Sequence, residues 1–148
     1  MLEWFAAGAV PVFVVCCVVV CLEMEALAFA TPLLRVKRNV WLNEEDAKRF
    51  SGTVADVDDR DVARVVRVHR NQLENFVPFF ALGLLWIATG ASPRVGVALF
   101  IAFTVARVAH PIFFLARMGR ARTAAHTVSF IVLVVLAVGV AWRSLAGS

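Results

Sequence analysis

The 148-residue sequence contains no tyrosine, so no site in it has a phenol as hydrogen-bond donor. Cysteine is scarce: Cys16, Cys17 and Cys21 are the whole supply, and all three fall inside one apolar run. Their spacing is not a zinc pattern, no histidine stands near them in sequence, and a disulfide scaffold is not indicated. They read as small apolar packing residues. There is no internal repeat and no low-complexity tract. The formal net charge of +4 comes without an aromatic-rich basic surface set apart from the apolar runs, so a nucleic-acid partner is not expected.

Apolar residues are abundant instead. They make up 61% of the chain, and mean hydropathy is +0.79, whereas a soluble domain is nearer about half apolar. The excess lies in long runs divided by charged stretches, as lipid solvation requires. The first run covers residues 8–34; it is rich in valine but far too long for a strand. A cleavable signal peptide needs a basic start, and Met1, Leu2, Glu3 and Trp4 supply none, so a retained helix is expected. A polar segment over 35–70 follows, with helix-start patterns at Asn43, Glu44, Glu45 and Asp46 and again over 56–61. A second span is expected over 61–89, apolar from Phe76 onward. It ends in a turn at Thr89, Gly90, Ala91, Ser92 and Pro93. A third is expected over 93–117 and a fourth over 123–142. These features predict one all-α membrane domain over 1–148, a four-transmembrane-helix bundle. Lys and Arg concentrate in the loops before the second span and after the third. That bias places both loops in the cytoplasm of a multi-pass protein, in a bacterial inner membrane or the endoplasmic reticulum, with both termini on the other face.

Ionic groups inside such spans are costly and need a reason. Arg67, Asn71 and Glu74 share one helical face, and Arg70 and Glu74 are four apart. Pro78 removes the amide that would bond to the Glu74 carbonyl, a break that would widen a pocket there. Arg107 and His110 are three apart, with Phe114 continuing that face. Arg122 and His126 are four apart at the start of the last span, where Thr123 is placed to cap the helix. Ordinary readings exist for most of these. Arg67 and Arg70 can snorkel to the headgroups, Glu74 can neutralise one of them, and His110 suits a bundle interior better than a metal. Arg122 can be a topology signal. Arg107 resists such a reading because it lies far from either end of its span. Glu23 and Glu25 can pair with an arginine of another helix or subunit, or relay a proton. Asp46 reads as part of a solvated, helix-starting acidic run. Arg70, Arg107 and Arg122 are expected to converge in one zone, which suits an anion bearing carboxylates. Asn71 and Glu74 suit an ammonium or amide on the same ligand. Glutathione with a lipophilic electrophile fits this description, and so does a phospholipid headgroup.

The stretch from Arg67 through Val68, His69, Arg70, Asn71, Gln72, Leu73, Glu74, Asn75, Phe76, Val77, Pro78 and Phe79 to Phe80 resembles the signature of the MAPEG family, the membrane-associated proteins in eicosanoid and glutathione metabolism. Arg107, Val108, Ala109 and His110 are similar to its third-helix motif. The resemblance runs over about 34–129. It implies a homotrimer of four-helix protomers with glutathione sites between neighbouring subunits, and no metal. It further implies that Arg70, Asn71 and Glu74 hold polar groups of glutathione, that His110 assists, and that Arg35 reaches in from the adjoining subunit. Arg122 matches the arginine near the sulfur, and Thr123 falls where a relative has a thiol-bonding serine. Asp46 aligns with an acidic residue assigned to prostaglandin-forming chemistry. Phe114 and His126 occupy positions where relatives carry tyrosines that contact glutathione, and phenylalanine can pack there but not donate.

The function these implications predict is a membrane-bound, glutathione-dependent transferase or peroxidase acting on lipophilic electrophiles, with isomerase chemistry open on the same thiol. Arg122 would favour the nucleophilic thiolate. The missing tyrosines support a second expectation, a non-catalytic glutathione- or lipid-binding regulatory protein of the same fold. A small transporter is a third, supported only by Glu23 and Glu25, and four spans without an inverted repeat argue against it.

Overall fold

A computed structural model describes residues 8–146. The first four residues, on which the retained-helix reading rests, lie outside the described residues, as does the N-terminal tail assigned to the non-cytoplasmic face. Four long helices dominate the structure: α1 (Ala9–Arg38), α3 (Arg60–Ala88), α4 (Pro93–Leu115) and α5 (Gly119–Ala146). A short helix, α2 (Glu44–Arg49), sits between two-residue strands β1 (Val40–Trp41) and β2 (Thr53–Val54). The strands pair in parallel, Val40 with Thr53 and Trp41 with Val54.

Local chemistry sets the helix ends. α1 carries Arg35, Lys37 and Arg38 in its last turn, where cations complement the helix dipole. It stops at Asn39, which is left-handed at φ 54° and so closes the helix at little steric cost. Asn43 caps α2 by accepting the Asp46 amide at 3.3 Å, and Asp59 caps α3 by accepting that of Asp61 at 2.9 Å. Pro93 opens α4 at its first turn, where its missing N–H costs nothing. α5 begins at Gly119, a turn earlier than the apolar run. Thr123 is therefore not a cap. It lies inside the helix and donates its hydroxyl to the Gly119 carbonyl at 3.0 Å, the back-bonding typical of helical threonine.

The segment between α1 and α3 is folded onto the bundle. Trp41 is buried and stacks on Phe50 at 4.6 Å between centroids. Arg35 grips Asp58 through two hydrogen bonds of 2.9 and 3.0 Å, and Arg38 pairs with Asp61.

α3 and α4 pack together as a central pair, each also touching α1 and α5, while α1 and α5 make no packing contact with each other among the described residues. The core is largely phenylalanine: Phe79 stacks on Phe103 at 4.1 Å, with Phe13, Phe76 and Phe100 around them. Trp86 of α3 is held where a Cβ on Gly139 of α5 would come within 2.3 Å of its ring, so that glycine is required for the close approach. Outward-facing side chains such as Val18, Phe29, Val105 and Phe130 are exposed on the single chain. So large an apolar surface needs lipid or a neighbour.

Three helices, α1, α4 and α5, are long and apolar enough to cross a membrane. α3 has 29 residues, yet its first half carries Arg60, Asp61, Arg64, Arg67, Arg70 and Glu74. Only its second half is continuously apolar, and it runs unbroken through Pro78.

Candidate functional site

One cavity of roughly 410 Å³ opens where α3, α4 and α5 meet. α3 supplies Arg67, Arg70, Asn71 and Glu74; α4 supplies His110 and Phe114; α5 supplies Arg122, Thr123 and His126. Helical spacing accounts for this, because on each helix these residues recur three or four apart and face one way. The size falls in the range of small-molecule sites, about 300–1,000 Å³.

The side chains around the cavity differ in what they already hold. Arg70 pairs with Glu74 along the helix at 3.3 Å, both largely in the open, so the pair is weak and exchangeable. The Arg122 guanidinium lies 5.0 Å over the Phe114 ring. It has no hydrogen-bond or ion-pair partner among the described residues. His110 is buried, with its Nδ1 unpartnered and its ring 6.1 Å from that of His126. A buried imidazole nitrogen without a partner calls for a ligand atom or a water. Thr123 lines the cavity, but its hydroxyl hydrogen is directed at Gly119, so donation to a ligand requires the side chain to turn.

Three expectations are revised or left apart by this geometry. Arg107 does not join Arg70 and Arg122 in the cavity; it is fully buried behind it. Its Nη2 donates to the Asn71 side-chain oxygen at 2.9 Å and carbonyl at 3.2 Å, and also to the Gln72 side-chain oxygen. Its Nη1 donates to the Ser129 hydroxyl at 3.4 Å. Gln72 in turn donates to the Arg107 carbonyl at 2.8 Å and to Glu23 of α1. The helical period placed Arg107 on the His110 side of α4 but could not say which neighbour it would meet. Gln72 and Ser129, both fully buried, were passed over, although an intramembrane amide or hydroxyl is itself a signal of an interhelical bond. Pro78 is not among the cavity residues and opens nothing there. Arg35 and Asp46 also stand apart from the cavity in the single chain: Arg35 is engaged with Asp58, and Asp46 sits in the first turn of α2. Among the described residues no three His, Cys, Asp or Glu side chains group as a metal site.

The MAPEG family pattern matches residues 13–142. The chain belongs to the MAPEG family. This MAPEG protein is 32% identical to prostaglandin E synthase of Equus caballus over 144 residues, 97% of this chain and 94% of the relative. It is 31% identical to prostaglandin E synthase of Homo sapiens over 140 residues, 94% of this chain and 92% of the relative. It is 37% identical to microsomal glutathione S-transferase 1 of Homo sapiens over 102 residues, 63% of each chain. With three helices fit to cross a bilayer and this membership, the MAPEG protein is a membrane protein.

Proposed function

We propose that this MAPEG protein is a membrane-bound, glutathione-dependent enzyme that acts on lipophilic electrophiles, as a transferase or peroxidase. Relatives named prostaglandin E synthase and glutathione S-transferase support that class. The observation that carries the reading is Arg122, an arginine without an anionic partner, stacked on Phe114 and facing Arg70, Asn71 and Glu74 across one cavity. A tripeptide with two carboxylates and an ammonium matches this donor set: Arg70 and Arg122 for carboxylate or thiolate, Glu74 for the ammonium, Asn71 for an amide. The unpartnered His110 nitrogen would take a further polar group, and Phe114 and His126 would form the wall beside it.

Glutathione supplies the sulfur nucleophile when bound. The protein's part is to hold the thiolate beside Arg122. Lowering a thiol by two pKa units needs about 2.7 kcal/mol of differential stabilisation, within reach of one guanidinium in a site partly screened from water. Thr123 would assist after turning from Gly119. The lipophilic partner would enter from the bilayer side. α3 is a fourth span in this reading, its charged first half at the headgroups and facing neighbouring subunits of a homotrimer. Arg35, at the end of α1, would then offer its remaining Nη1 to a neighbour's site while its Nε and Nη2 stay bonded to Asp58, with Asp46 on α2. The basic segments face the cytoplasm, and the whole of 1–148 acts as one transmembrane domain.

Calorimetry with glutathione, followed by conjugation assays on purified protein, tests this. Binding and turnover are expected; no heat with glutathione would remove the proposal. A second reading is a non-catalytic glutathione- or lipid-binding protein, favoured by the engaged Thr123 hydroxyl. It predicts bound glutathione without an ultraviolet thiolate band.

A further inference from the structure

A second hollow of about 470 Å³ lies next to the candidate site, between the start of α3 and the turn joining α4 to α5. Arg60, Arg64, Arg67 and Arg117 line it together with Asp58 and Asp61. The two carboxylates are already committed, Asp58 to Arg35 through two hydrogen bonds and Asp61 to Arg38. The arginines are not. Arg60, Arg67 and Arg117 have no carboxylate partner among the described residues, and Arg64 gives one hydrogen bond, to the Phe114 carbonyl at 3.2 Å. The hollow therefore carries an excess of positive charge that the fold does not consume.

Arg117 stands at the rim, in the left-handed position at φ 62° that closes α4, with its own N–H bonded to the Phe114 carbonyl at 3.2 Å and the Met118 N–H to that of Phe113 at 2.9 Å. The hollow adjoins the candidate site. Arg67 lines both, and a smaller space of about 170 Å³, bounded by Arg64, Phe114, Arg117 and Arg122, touches both as well. Four arginines against two paired carboxylates leave the hollow net positive, and such a field raises the local concentration of anionic solutes.

We propose that this hollow is an anion antechamber, a second binding site that captures a carboxylate-bearing molecule at the loop end of the bundle before it moves on to Arg122. The inference rests on the functional reading above. Two sources supply the same chemistry: a carboxylate of the tripeptide, or the acid head of an amphiphilic electrophile.

The test uses full-length protein in micelles of neutral detergent, with Arg117→Glu to reverse the charge and Arg117→Gly to remove it without disturbing the left-handed backbone. In about 20 mM salt, Arg117→Glu should lower kcat/KM for glutathione on the order of tenfold at unchanged kcat, and Arg117→Gly about threefold. Both losses should vanish near 1 M salt, where the screening length is about 3 Å. A loss in the glutathione arm assigns the antechamber to the tripeptide. A loss confined to an electrophile with a free carboxylate, absent for its methyl ester, assigns it to the amphiphile. Unchanged kcat/KM in both arms at low salt overturns the antechamber while leaving the main site standing. A wild type that gives neither heat nor turnover with glutathione overturns both. If Arg117→Glu fails to elute with the wild type on gel filtration, Arg117→Gly decides alone.

Discussion

Arg107 and Arg122 stand on neighbouring helices near the same cavity, and the bundle treats them in opposite ways. Arg107 is fully buried and bonds to Asn71, Gln72 and Ser129. Arg122 rests on Phe114 with no polar partner. A buried guanidinium whose two terminal nitrogens are bonded, with only Nε left unpartnered, is part of the scaffold, and its removal strands the groups around it. A guanidinium with hydrogens to spare is available to a ligand. Arg107 lies well inside α4 and Arg122 in the first turn of α5, but it is the neighbouring side chains that decide what each is free to hold.

The contrast can be broken most forcefully at Arg107. Arg107→Ala should destabilise the protein by about 3–5 kcal/mol, since Gln72 and Glu23 lose the charge they face. A large fall in melting temperature in detergent is the readout, and a melting temperature within a degree of wild type would erase the distinction. Arg122→Ala should do the reverse: melting unchanged, conjugation down about a hundredfold, matching the 2.7 kcal/mol assigned to thiolate stabilisation. Retained conjugation would mean Arg122 is no more than a topology charge. Smaller effects sharpen the picture on the cavity side. Arg70→Ala or Glu74→Ala should weaken glutathione binding roughly tenfold by calorimetry, about 1.4 kcal/mol, without altering melting. Smallest is Thr123→Val, expected to change turnover by no more than about fivefold, because one neutral hydrogen bond is worth about 1 kcal/mol and this hydroxyl is directed elsewhere. A drop of a hundredfold would show that Thr123 turns toward the sulfur.

Much of this was legible in the sequence, for definite reasons. Asn43, Asp59 and Pro93 announce helix starts through chemistry that is local, and Gly90 lies in the turn before α4. The residues around the cavity were legible because spacing of three or four gathers them on one face of each helix, and the family pattern indicated which faces meet. Three things were not legible. α1 and α5 both run past their apolar stretches, because basic residues continue a helix readily and only a specific stop such as Asn39 ends it. The start of α2 was legible at Asn43, but the strands β1 and β2 around it were not, since their pairing and the stacking of Trp41 on Phe50 join residues about ten apart. The depth of Arg107 depended on Gln72 and Ser129, on two other helices, and no pattern within α4 reports them.

Asn71 belongs to both halves of the contrast, with its side chain at the cavity and its oxygens held by Arg107. A molecule that settles against that amide is mechanically joined, through Arg107 and Gln72, to Glu23 on the far side of the central helix pair. Heating with a candidate compound should therefore gauge occupancy when two proteins are compared: a compound seated on Asn71 steadies a girder running across three helices and loses much of its thermal shift in Arg107→Ala, whereas one adsorbed elsewhere on the greasy exterior shifts both proteins alike.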